Sequence, residues 1–138
     1  MCLSHKSNKL HSIDPDSPTN CSLDKPIIIT ASSIIITIHW NEPTVKKGAI
    51  LLYNIDAHCK NRRWTTQSIV LPSERVYTSN QLSERYRHAL YGLPSFSDCS
   101  VSIVAETIIG HGPPISCAFQ SPLTSEQHIS LNPIFIFP

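Results

Sequence analysis

Between residues 33 and 40 the chain sets Ile34, Ile36, Ile38 and Trp40 on alternate positions, with Ile35, Thr37 and His39 between them. A repeat of two lines one row of side chains along a single face of an extended strand; a helix would scatter the same row around its circumference. The period returns at Cys99, Val101, Ile103 and Ala105, far along the chain. Each such strand must bury one face against another layer. Composition points the same way. Only 15% of residues are charged, and 11 prolines stand against 4 glycines. The chain favours Ile, Val, Thr and Ser, residues that suit a half-buried pleated surface better than a helix.

Following the period along the chain predicts seven strands. They cover residues 26–29, 33–40, 49–59, 64–71, 85–90, 98–107 and 115–120. Asn41, Glu42 and Pro43 end the second, because proline cannot continue a ladder. Residues 60–63 form a polar turn after the third strand, and 72–84 a loop with at most one short strand. A glycine-proline loop at 108–114 joins the last two strands. Residues 1–25 are polar and aperiodic and read as a disordered or loosely attached segment. Residues 122–138, apolar at Ile134, Phe135, Ile136 and Phe137, read as a mobile tail or the truncated start of another segment. Residues 26–121 then make one β-sandwich domain, which 138 residues can supply with a core.

Chemistry is sparse. The formal net charge is +1, so electrostatics does not steer the chain to nucleic acid or an anionic membrane. Lys60, Arg62 and Arg63 form its densest basic cluster and read as a solvated turn. No run of about twenty apolar residues predicts a membrane-spanning helix, and the start lacks the apolar stretch of a secretory leader. Seven histidines and five cysteines show no Cys-x-x-Cys, His-x-x-x-His or His-Glu-x-x-His spacing, so no metal site is expected. No nucleophile elbow or phosphate loop occurs, and Glu42, Glu74, Glu84, Asp98 and Glu106 are not brought together by the strand plan. The reading is therefore of a non-enzyme with no cofactor. One modification pattern stands out: Asn20, Cys21 and Ser22 form an N-glycosylation acceptor, meaningful only in the secretory pathway.

The ordered set Trp40, Pro43, Gly48, Ile50 and Tyr53, followed by Leu93, Val101, Ile103, Ala105, Gly110, Gly112 and Pro113, resembles the pattern of fibronectin type III domains. The resemblance covers about two thirds of the chain. It implies an all-β, seven-stranded, immunoglobulin-like sandwich. Trp40 would fill the space between the sheets, Leu93 would plug one end, and Gly110 and Gly112 would permit a turn that β-carbons hinder. The implied function is a non-catalytic protein-binding or spacer module of a cell-surface receptor or adhesion protein. The alternatives are a non-catalytic fragment of a receptor tyrosine phosphatase or kinase, and an intracellular scaffold module. The partner would be a protein ligand or a neighbouring domain, met by the loops at 41–47 and 108–114, which should share one end.

The chain departs from that family at Cys99, where the family places a Tyr that ties back to the preceding turn. In the implied arrangement Cys59 and Cys99 lie on neighbouring antiparallel strands with inward parity. They form either a disulfide or two buried thiols. Cys21 and Cys117 make a second possible pair, leaving Cys2 as the odd thiol. Either bridge implies an oxidising compartment. The expected location is therefore extracellular, with this chain a fragment of a larger protein and no membrane insertion of its own.

Overall fold

A computed structural model describes residues 15–30, 33–45, 48–63, 68–78 and 84–123. Their regular elements are all strands: β1 (Thr19–Leu23), β2 (Ile27–Thr30), β3 (Ser33–Asn41), β4 (Leu52–Asn61), β5 (Ser68–Val70), β6 (Glu74–Tyr77), β7 (Arg85–Leu93), β8 (Ser97–Glu106) and β9 (Ile115–Gln120). They form two antiparallel sheets. In one, β3 lies between β7 and an edge made of β1 and then β2. In the other, β8 joins β9 to β4, and β5 and then β6 follow the far edge of β4.

The nine segments make a seven-stranded sandwich because two edge strands are each broken once. Pro26 lies in the gap between β1 and β2, and Pro72 in the gap between β5 and β6. Proline offers no donor to a ladder and restrains the residue before it, so it interrupts a strand without ending its course. Single bonds keep both edges in line: Asp24 N donates to Thr37 O at 2.9 Å, and Leu71 N to Ala57 O at 2.9 Å. Interrupted edges are also poor templates for a second chain.

The alternating stripes meet between the sheets. Ile34, Ile36, Ile38 and Trp40 of β3 face Tyr53, Ile55, Ala57, Val101, Ile103 and Ala105 of β4 and β8, all buried. Trp40 is fully enclosed. It lies parallel to its register partner Tyr86 at 5.8 Å and edge-on to Tyr53 of the other sheet at 5.4 Å. The three rings pack against one another between the layers. Leu93 is buried at the end of β7, opposite Ile34.

Several boundaries differ from the sequence reading. Part of the segment 1–25, taken as disordered or loosely attached, belongs to the fold: β1 pairs with β3, and Pro15 and Pro18 are fully buried. The strand was hidden because only Cys21 and Leu23 turn toward the core, too few to show a period. Strand five continues to Leu93, while β6 is the one short strand that the reading of 72–84 allowed. Of the strand assigned to 64–71, residues 68–70 form β5 and 64–67 lie outside the described residues, as do residues 1–14 and 124–138. The residue-122 boundary for a tail thus falls almost entirely outside them.

Candidate functional site

The register fixes which loops share an end. Thr19 pairs with Asn41, Asn41 with Arg85, and Leu52 with both Tyr77 and Glu106. The β3–β4 and β8–β9 connections therefore emerge side by side, as do the chain before β1 and the approach to β7. Thr78 ties its neighbour down, its hydroxyl donating to Ile50 O at 2.7 Å and to Leu51 O at 3.0 Å.

The β8–β9 connection is tightly ordered. Thr107 N donates to Gly110 O at 2.8 Å, Gly112 N to Ala105 O at 3.1 Å, and Ile109 N to the Thr107 hydroxyl at 3.2 Å. Glu106 and His111 form a further bridge. These bonds use up local backbone groups and turn two large apolar side chains outward: Ile108 is 87% and Ile109 59% exposed. Val45, on the β3–β4 connection, and Leu51, just before β4, are also exposed at this end. A turn that spends its hydrogen bonds holding isoleucines in water costs apolar solvation. Beside it lies a polar groove lined by Thr19, Asn20, Asn41, Glu42, Thr44 and Glu84.

Gly112 serves this end differently from the expectation. Positive φ occurs at Gly48 and Gly92 rather than at Gly110 or Gly112. A β-carbon at Gly112 would instead overlap the carbonyl of Pro15. The glycine is required because the chain before β1 crosses against the β8–β9 connection, an approach that sequence periodicity cannot reveal.

The cysteines occupy definite places. Cys59 and Cys99 are register partners on β4 and β8, joined as a disulfide with Cα atoms 4.0 Å apart. Cys21 and Cys117 are joined with Cα atoms 6.0 Å apart. The first bridge lies within one sheet. The second crosses from β1 to β9 and fastens the two sheets along one side. On the other side, His88 of β7 meets Glu74 of β6 at 2.6 Å. Cys2 is outside the described residues. Asn20 is exposed on β1 with φ 53°, within an irregularity of the β1–β3 register.

Of the basic cluster, Lys60 and Arg63 are exposed as a solvated turn would be, and Arg62 departs from that reading. Arg62 lies over the Phe96 ring at 4.4 Å, donates to Ser121 O at 3.0 Å, and stands 3.9 Å from Asp98. It braces the end opposite the candidate surface. No pattern in the sequence marks it, because its partners come from two distant turns. Tyr86 was missed for a related reason: His88 interrupts the apolar alternation of β7, and the inward ring of Tyr86 shows only once Trp40 is placed opposite.

Histidine and carboxylate also meet at His39 and Asp24, 3.0 Å apart. This pair and His88–Glu74 are two-member contacts. Among the described residues no three His, Cys, Asp or Glu side chains gather as metal ligands would, and no helix is long and apolar enough to cross a membrane.

No family model matches the sequence, and no curated protein does. Solved structures do resemble it. The third fibronectin III domain of the human KIAA0343 protein is 16% identical, with a TM-score of 0.58, and the match covers 83% of this chain and 88% of that one. The fn3 domain of human collagen alpha-1(XX) is 19% identical, with a TM-score of 0.53 over 81% of this chain and 90% of its own. A fourth FNIII domain from a human protein is 17% identical, with a TM-score of 0.53 over 81% and 82%. With the sheet order, the enclosed Trp40 and the buried Leu93, these likenesses give the chain its architecture: it carries the fibronectin type III fold.

Proposed function

We propose that this domain is a non-catalytic binding module of an extracellular or cell-surface protein, and that it meets a protein partner through the end formed by the β3–β4 and β8–β9 connections. The observation that carries the reading is the ordered turn that holds Ile108 and Ile109 in water, with Val45 and Leu51 exposed at the same end. Such a patch, beside a polar groove, has the make-up of an interface centre with a hydrogen-bonding rim. Two disulfides support an oxidising compartment over an intracellular scaffold.

The test is the double variant Ile108→Asp/Ile109→Asp against the parent chain. Immobilised parent protein should retain a partner from a cell-surface extract, and the variant should lose it at an unchanged unfolding midpoint. Equal retention by both overturns the assignment of this end. Protein from its native source should show four cysteines that resist alkylation until reduced. Five freely reacting thiols would return the domain to the intracellular reading.

A further inference from the structure

The acceptor pattern at Asn20, Cys21 and Ser22 lies where folding and modification compete. Asn20 and Cys21 fall in the register irregularity between Thr19 and Ser22 of β1. The left-handed φ of 53° at Asn20 is one that asparagine tolerates better than most residues. It leaves Asn20 exposed beside the polar groove of Asn41, Glu42, Thr44 and Glu84. A sugar placed there would meet hydroxyl, amide and carboxylate groups, and no core side chain would have to move. In the fold the pattern is nonetheless held in one fixed backbone conformation, with Asn20 and Ser22 at the surface. The Ser22 hydroxyl, which the pattern requires, accepts a hydrogen bond from Arg85 at 2.9 Å. Asn20 O accepts from the same guanidinium at 3.4 Å. Cys21, between them, is tied to Cys117 across 96 residues.

We propose that Asn20 carries an N-linked glycan, added before Cys21 and Cys117 join, and that closure of this bridge ends its availability. This rests on the reading that the chain enters the secretory pathway. In the transfer, the Asn20 side-chain nitrogen bonds to the anomeric carbon of an oligosaccharide held on a lipid pyrophosphate. The carbon–oxygen bond to the pyrophosphate breaks, the lipid pyrophosphate leaves, and the amide nitrogen gives up one proton. Bridge closure is a separate step, in which the two thiols pass two electrons and two protons to a carrier disulfide that is reduced to a dithiol. Cys117 lies far downstream, so during synthesis Asn20 is presented for a long interval before its neighbour acquires a partner.

The full chain is expressed behind a leader that directs it into the secretory pathway, so that it meets the transferase by design. Glycan is read in cells and medium as the mobility shift removed by an N-glycosidase. The parent should show a shifted fraction, Asn20→Gln and Ser22→Ala should show none, and Cys117→Ser should show a larger fraction than the parent. Absence of glycan on both parent and Cys117→Ser overturns the site. Equal fractions in the two overturn the competition with the bridge. Because entry is forced, neither result depends on the native compartment, which the thiol measurement on native-source protein decides separately.

Discussion

Removing the two disulfides one at a time should cost the domain nearly the same amount, although the bridges sit in very different places. In the chain-entropy account a bridge acts on the unfolded chain through the length of loop it closes. Cys59–Cys99 closes a loop with a separation of 40 residues, worth about 4 kcal/mol. Cys21–Cys117 spans 96, but the first bridge is nested within it, so the effective loop is 96 less 40, or 56, again worth about 4 kcal/mol. Together they approach the whole stability of an ordinary domain. Cys59→Ala/Cys99→Ala and Cys21→Ser/Cys117→Ser should each lower the urea midpoint by about 2 M at an ordinary slope. The slope itself should rise as the unfolded chain is freed to expose more surface. If the Cys21/Cys117 variant lost less than about 1 kcal/mol at an unchanged slope, the loop argument would be refuted. A loss confined to that variant would instead show that fastening the sheets outweighs constraint of the unfolded chain.

Gly112→Ala should destabilise the fold by about 1–3 kcal/mol, the usual cost of overfilling a packed site, and should speed hydrogen exchange at the β1 amides, since Pro15 must withdraw to admit the methyl group. An unchanged melt with β1 still protected would mean that Pro15 does not rest there. The Tyr53 phenol is pushed well above its ordinary value of 10.0, by burial first and then by neighbouring Tyr86 and Glu42. Its contribution is fully present below about pH 10. Above that pH the unfolded chain releases a proton that the folded one keeps, so stability falls as pH rises. Tyr53→Phe should make this alkaline decline shallower, by up to about 1.4 kcal/mol per pH unit, in urea titrations at successive pH values. Parallel declines for parent and variant would remove Tyr53 as the cause.

Much of the interior was legible in the order of residues. Ile34, Ile36, Ile38 and Trp40 declare their burial through a period of two, as do Val101, Ile103 and Ala105, because a strand that buries one face must alternate. Trp40, Tyr53, Leu93 and Ala105 accordingly share one dry interior. Pro26 and Pro72 interrupt edge strands that continue beyond them, so the first edge reaches back to Thr19 and the other runs on through Tyr77.

Sequence by itself determined the central strands and which side of each is apolar, since both follow from interactions between residues a few positions apart and from the exclusion of water. Tertiary structure alone decided the rest. An edge such as β1 is held by backbone hydrogen bonds to β3 that leave no periodic trace in its side chains. Pro15 against Gly112, Arg62 over Phe96 and the exposed isoleucines at the β8–β9 turn depend on which distant turns the register brings together, and that is a property of the closed sandwich rather than of any stretch of chain.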